Sequence, residues 1–217
     1  MTTRKLPPNA SVAVASEGQK MVAPAASRNA EVLCDLLARV APHTGRALEL
    51  ASGTGQHVAV FAHRLPDLHW QPSEIEPDRR ASIDAYAEGF DNIAPAVELN
   101  ATQPGWHSKY GAYDLIVLIN LLHLISWLEV ETLVSEAALA LGSGGRLVLY
   151  GPFKRAGELT STGDQNFHAA LTQQDPEIGY KNDADMLALL QRSNLIVVER
   201  VEMPANNLAL VAQKPVT

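Results

Sequence analysis

Apolar positions along the chain recur with two periods, and the places where the period changes outline the elements. In "SRNAEVLCDLLARV", residues 27–40, Val32, Leu33, Leu36, Leu37 and Val40 share one helical face. Ser27 or Asn29 stands where an N-cap belongs. "RALELA" (46–51) reads as a buried parallel strand, "QHVAVFAHRL" (56–65) as a short helix and "HWQPSEI" (69–75) as a second strand. Pro77 suits the first turn of a helix over 77–90. "PAVEL" (95–99) predicts a third strand, and "YDLIVLI" (113–119) is the strongest strand signal in the chain. A helix follows over 126–141, with Leu128, Leu133, Val134 and Ala137 inward, and "GSGG" (142–145) stops it. "RLVLYGP" (146–152) is a fifth strand. Residues 152–181 are less regular, with a short helix at 165–173. A helix over 183–193 and strands at 194–202 and 207–214 complete the pattern. Strands alternating with helices predict a parallel sheet covered on both faces. The last two strands are joined only by "MPAN", too short for a parallel crossover, so they pair antiparallel.

Composition narrows the class. With 217 residues, 47 % hydrophobic and 19 % charged, the chain suits one α/β domain. We expect a mobile arm at 1–24, a single domain over 25–217, and within it an insertion around 152–181 that covers a substrate. The net charge of -7 and the scattered Lys and Arg argue against a nucleic-acid partner. No run of about 18 apolar residues suggests a membrane span. The N-terminal apolar run is broken by Pro7-Pro8-Asn9, so a cytoplasmic location is expected. The single cysteine, Cys34, lies in a helical pattern and reads as a small buried hydrophobe. His43, His63, His69, His107 and His123 show no metal-ligand spacing, so no metal is expected.

The chemistry concentrates in "LELASGTGQHV", residues 48–58. A dinucleotide fingerprint needs a small third residue after Gly53 and Gly55, and Val58 stands there. A phosphate-cradling loop needs a Lys that this stretch lacks. What the loop does offer is an acid, Glu49, followed by alternating small residues Ala51, Gly53 and Gly55, with Ser52 between them. This resembles the E-x-G-x-G-x-G pattern of methyltransferases that use S-adenosyl-L-methionine (SAM). Ala51 in place of the first glycine is tolerable if its φ stays negative. Glu74 lies 19 residues beyond Gly55, where an acid can accept from two ribose hydroxyls, with Glu76 the alternative. After the third strand, Asn100 stands where such enzymes usually place an acid against adenine, and Ala101 offers an N–H. Asn120 sits at the end of the fourth strand, on the ligand rim of an open sheet, with His123 close behind.

More narrowly, the chain resembles the methyltransferase-like 26 type of the seven-stranded SAM-dependent methyltransferases. The resemblance is carried by "ASRN" (26–29), "LELASGTGQH" (48–57), "WQPSEIE" (70–76), "YGPF" (150–153), "NFH" (166–168), "DPEIGY" (175–180) and "MPANN" (203–207). It spans roughly residues 22–213. It implies a Rossmann-like, mostly parallel seven-stranded sheet with a C-terminal antiparallel hairpin, SAM as cofactor and a small-molecule acceptor. The oligomeric state, monomer or homodimer, stays open. In this class the arm before the first helix often folds over SAM, so Arg28 and Asn29 would close the site. The chain departs from that family at His168, Ile178 and Lys181-Asn182, all in the insertion, so a shared acceptor does not follow.

Methyl transfer from a sulfonium is an in-line displacement that depends above all on positioning. A protonated nucleophile also needs a base. His57, where a helix should start, is the candidate base, and Tyr150 at the end of the fifth strand could line the methyl site. Phe153, His168 and Asn206 are candidate substrate contacts. The competing readings are a SAM-binding protein without turnover and, more weakly, a nucleotide-dependent oxidoreductase.

Overall fold

A computed structural model describes residues 6, 7 and 10–216. A short antiparallel pair, β1 (Val14–Ala15) and β2 (Met21–Val22), precedes α1 (Pro24–Val40). Then come β3 (Gly45–Leu50), α2 (Gln56–Arg64), β4 (Leu68–Pro72), α3 (Pro77–Ala87) and β5 (Tyr113–Ile119). The second half holds α4 (Trp127–Ala140), β6 (Leu141–Lys154), α5 (Thr162–Gln174), β7 (Lys181–Asn182) and α6 (Asp183–Arg192). It ends with β8 (Ile196–Met203) and β9 (Asn207–Gln213). The main sheet runs β4-β3-β5-β6-β9-β8, with β7 added to the end of β6. The pairs among β3, β4, β5 and β6 are parallel, and β9 pairs antiparallel with both β6 and β8. The expected α/β class and closing hairpin are therefore present.

Alternation along the strands builds two cores. Ile116 and Leu118 of β5, Leu147 and Leu149 of β6, and Leu208, Leu210 and Ala212 of β9 face one side, against α4 and α6. Leu115, Val117 and Ile119, with Val148, Tyr150, Ala209 and Val211, face the other, against α1, α2 and α3. The period-two pattern thus assigns each residue of the central strands to one helix layer.

Several boundaries differ from the sequence reading. Helix α1 starts at Pro24, whose ring occupies the first turn, and Ala23 is the cap position. Ser27 and Asn29 therefore lie inside the helix, and neither caps it. Residues 14–22, expected to be irregular, carry the β1–β2 pair. The strand expected at 95–99 is reduced to isolated bridges, Trp70 with Ile93 and Ser73 with Val97. Pro95 has no N–H to donate and interrupts the ladder there. Leu128, expected inward, is 73 % exposed. The buried stripe of α4 is Val130, Leu133, Val134 and Ala137, and two residues before Val130 is roughly the opposite side of a helix. The "GSGG" stretch lies within β6 as an irregularity: pairing with β5 shifts between Tyr113 opposite Leu141 and Leu115 opposite Arg146. Helix α5 is longer than expected because Ser161 caps it, accepting from the Asp164 N–H at 3.1 Å.

The turn from β8 to β9 holds Ala205 at φ 56° and Asn206 at φ 60°. Left-handed φ at both central residues is the hairpin-turn geometry, and it penalises a Cβ at position 205. Ala205 is exposed and has little packing to lose. Ala205→Gly should therefore raise stability by roughly 0.5–1 kcal/mol in urea unfolding at unchanged m-value; a loss of stability would show that the turn is not strained.

Candidate cofactor and acceptor site

The C-terminal ends of β3, β4, β5 and β6 form one rim. The chain passes from β3 to β4 on one side and returns to β5 on the other, which makes this rim the topological switch point, the place where open α/β sheets bind ligands. The loop after β3 occupies it with three left-handed residues: Ala51 at φ 50°, Gly53 at 58° and Gly55 at 90°. The expectation of negative φ at Ala51 is therefore corrected. An alanine is held in the left-handed region at a cost on the order of 1 kcal/mol, and the surrounding bonds impose it. Ser52 N–H donates to Ser73 O (2.8 Å), Ser73 N–H to Glu49 O (3.0 Å), and the Ser52 and Ser73 hydroxyls to the same Glu49 carbonyl (3.1 and 2.9 Å). Gly55 is needed for a second reason. A Cβ there would lie 2.6 Å from Ile83 Cα, so α3 packs directly on the loop.

Glu74 closes over this loop. One carboxylate oxygen accepts from Gly53 N–H at 3.1 Å and the other from Ile75 N–H at 2.8 Å. Glu76 is exposed at the N-cap position of α3, which favours Glu74 over Glu76 as the inward acid. Glu49 is almost wholly buried, and its Oε2 has no hydrogen-bond partner. Burial pushes its carboxyl up to about 8; a Ser52 hydrogen bond opposes the shift and the Glu74 charge adds to it.

Asn29, His57 and Tyr150 meet in one buried network between α1, α2 and β6. His57 Nε2 is 2.7 Å from Asn29 Oδ1, and the ring stacks on Phe61 at 5.6 Å. Burial lowers the His57 pKa to about 4, so the ring is neutral and one nitrogen is already engaged. Asn29 also lies beside the Tyr150 hydroxyl, whose pKa burial raises and Asn29 lowers. The neighbouring Arg28 is exposed. Asn120 lies at the rim with φ 56°, donating its N–H to Tyr150 O at 2.8 Å. Asn100 Oδ1 accepts from the N–H and hydroxyl of Thr102, at 3.0 and 2.8 Å, and so closes a turn. Ala101 is buried, with its carbonyl accepting from Trp106 Nε1.

The expected acceptor residues separate. Phe153 is fully buried in the core against α4 and α6, a packing position and not a cleft wall. His168 and Asn206 belong to a second polar network beside α5. Asp164 accepts from Thr160, Ser161, Tyr180 and Asn206 side chains, at 2.7, 2.7, 2.9 and 3.0 Å. His168 Nδ1 accepts from Tyr180 N–H at 3.1 Å. His123 is buried beside Phe167 and Tyr180, and burial followed by the Lys181 charge lowers its pKa to about 3.

Sequence reasoning missed two participants. Arg79 is one of the scattered basic residues, yet its Nη1 comes within 3.7 Å of a Cβ built on Gly53, and its Nη2 holds Ser11 Oγ at 2.8 Å. No spacing rule pointed to it. Asp164 did carry a signal, the Ser161-x-x-Asp164 helix-start pattern. Among the described residues no helix is long and apolar enough to cross a membrane, and no three His, Cys, Asp or Glu side chains converge on a metal position.

Solved structures share this architecture. The chain is similar to an O-methyltransferase family protein from Burkholderia thailandensis (TM-score 0.74, 18 % identity, 88 % of this chain and 58 % of that one). It is similar also to human N-acetylserotonin methyltransferase in complex with SAM (0.73, 15 %, 88 % and 53 %). A third is CalO1, a methyltransferase in calicheamicin biosynthesis, bound to S-adenosylhomocysteine (0.68, 16 %, 87 % and 54 %). The chain spans less than two thirds of the length of each. At these identities the likeness shows a methyltransferase fold and nothing finer. A family model described as "Protein of unknown function (DUF938)" matches residues 20–214, nearly the whole chain, and the protein belongs to that family.

Proposed function

We propose that the protein is a SAM-dependent methyltransferase acting on a small-molecule acceptor. The observation that carries this reading is the Glu74 carboxylate seated on the Gly53 N–H. In a phosphate-binding loop that N–H would face an anion. Here a carboxylate already covers it and would repel one. The buried, unpartnered Glu49 Oε2 fits the opposite charge, an amino-acid ammonium. Two acids around a phosphate-free loop match a nucleoside joined to an amino acid. Narrower kinship with the methyltransferase-like 26 type is part of the same proposal.

In this reading Glu49 holds the ammonium and Glu74 the ribose hydroxyls. Ala51, Ser52, Gly53 and Gly55 lie against the cofactor with their backbone. Asn100, Ala101 and Asn120 line the rim, and exposed Arg28 flanks the entrance, with buried Asn29 beneath it. When bound, SAM supplies a methyl group made electrophilic by its sulfonium. The protein's part is alignment and exclusion of water. The Asn29–His57–Tyr150 network fixes the floor of the crevice: His57 Nε2–H donates to Asn29 Oδ1, which orients the neutral ring and leaves Nδ1 as its lone-pair nitrogen. The burial that lowers the His57 pKa to about 4 makes it a weak base at neutral pH, and this is what favours the second reading, a SAM-binding protein without turnover. Purified protein incubated with SAM and fractionated metabolites should yield a product heavier by one methyl. Tight SAM binding with no methylated product from any fraction would favour the second reading.

Glu49 gives a sharper test. Its folded pKa of about 8 lies above the unfolded carboxylate value, so the folded state keeps a proton that the unfolded chain releases. Its contribution to stability is complete below the unfolded value and falls as pH rises towards 8. Glu49→Gln should therefore melt higher than the wild type at pH 9, by several degrees, yet bind S-adenosylhomocysteine at least about tenfold more weakly. Unchanged affinity in the variant would remove Glu49 from the site.

A further inference from the structure

The chain before α1 is tied to the glycine loop, and the tie carries a cation. Residues 11–23, the β1–β2 pair and its flanks, are mostly exposed, so polar bonds rather than apolar burial hold this strap in place. Met21 N–H donates to Ser82 Oγ at 2.8 Å, and that hydroxyl donates to Thr54 O at 2.7 Å. Ala23 N–H donates to Gln56 Oε1 at 2.6 Å, which also accepts from Thr54 Oγ1 at 3.1 Å. At the far end, Arg79 Nη2 donates to Ser11 Oγ at 2.8 Å and to Ser11 O at 3.3 Å. The first two ties end on the loop through Thr54, and the third ends on the arginine beside Gly53.

Arg79 stands on the open side of the loop. A Cβ on Gly55 would strike Ile83, so α3 closes that side. A Cβ on Gly53 would meet, chain neighbours aside, a single heavy atom within 4 Å, and that atom is Arg79 Nη1 at 3.7 Å. The N–H of the same glycine faces the Glu74 carboxylate. Gly53 is thus flanked by an acid on one side and a guanidinium on the other. With Nη2 held by Ser11, Nη1 keeps its hydrogens free, and among the described residues no carboxylate lies within ion-pair distance of Arg79. The other cations around the loop are engaged or stand off. Arg80 donates to Glu74 O and Ile75 O at 3.0 and 2.7 Å and faces Glu98 at 3.4 Å. Arg64 faces Asp35 at 4.0 Å, Lys20 Nζ lies over the Tyr86 ring at 5.1 Å, and Arg28 is exposed on α1.

We infer that Arg79 holds the carboxylate at the amino-acid end of the cofactor, and that the strap, through Ser11, positions it. The assignment rests on the methyltransferase reading above and completes its charge balance. A cofactor of this kind carries an ammonium and a carboxylate on one carbon. Glu49 and Glu74 answer the ammonium and the ribose hydroxyls, and both repel a carboxylate. A half-buried guanidinium on the open side of Gly53 supplies the missing cation, and charge-assisted bonds from a guanidinium to a carboxylate are strong. Ser11 is a positioning residue: it fixes Nη2 and leaves Nη1 for the ligand.

Calorimetry on the full chain tests this with two probes, S-adenosylhomocysteine and its decarboxylated analogue, the thiopropylamine that lacks only the carboxylate. The wild type should bind S-adenosylhomocysteine at least about tenfold more tightly than the analogue. Arg79→Met should weaken S-adenosylhomocysteine by at least about tenfold without weakening the analogue, so that the preference disappears. Retained analogue binding also shows that the variant is folded. Ser11→Ala should cut the preference by about threefold and change nothing further when added to Arg79→Met. Equal binding of the two probes by the wild type, a preference that survives Arg79→Met, or a loss shared equally by both probes would each overturn the proposal. A further loss from Ser11→Ala in the double variant would overturn the positioning role of the strap. A wild-type protein that fails to bind S-adenosylhomocysteine would instead overturn the cofactor reading beneath it.

Discussion

The hydrogen bond from Gly53 N–H to the Glu74 carboxylate is the constraint on which the site depends. It joins the loop after β3 to the end of β4 and decides which charge the loop accepts. A bond of this charge-assisted kind contributes on the order of 1.5–3 kcal/mol, enough to offset the left-handed alanine at position 51. The serines reinforce it: Ser52 and Ser73 converge on the Glu49 carbonyl, so the strand ends and the loop move as one unit. Gly55 lets α3 close on that unit from outside. The loop is thus shaped by the fold itself, and pre-shaping of this kind lowers the ordering cost a ligand would otherwise meet.

A second consequence concerns Glu49. A buried carboxyl with one oxygen unpartnered is unfavourable in its charged form, which is why burial raises its pKa. The same isolation makes it a strong partner for a cation that brings its own charge into the crevice. The protein therefore places a destabilised acid where the proposed ligand carries an ammonium. On the far side, the network of Asn29, His57 and Tyr150 commits the Nε2–H of His57 to Asn29 Oδ1 and leaves Nδ1 as the lone-pair nitrogen. It gains a rigid floor tying two helices to β6.

The layered sheet was legible because β5, β6 and β9 alternate cleanly and because "MPAN" is too short for anything but a hairpin. Glu49, Gly53, Gly55 and Glu74 could be singled out because their spacing follows the strand–loop–helix path. The weak third strand was misjudged because the apolar run of "PAVEL" outweighed the missing N–H of Pro95. Leu128 was misplaced by taking hydrophobicity for burial when the stripe of α4 begins two residues later. Phe153, expected beside the acceptor, points into the core because it follows Tyr150 by an odd number of residues. Arg79 was invisible: only the packing of α3 on the glycine loop brings it near Gly53. The Asp164 network joins residues up to 42 positions apart, a separation that no local pattern reports.

The likeness to methyltransferase structures establishes the fold, and the charges around the loop carry the argument from fold to cofactor. Calorimetric titration of the wild-type chain with S-adenosylhomocysteine and, separately, with NAD tests that argument most directly. The account predicts saturable one-to-one binding of S-adenosylhomocysteine, with proton release at neutral pH as Glu49 ionises, and no heat with NAD. Binding of NAD with none of S-adenosylhomocysteine would contradict it.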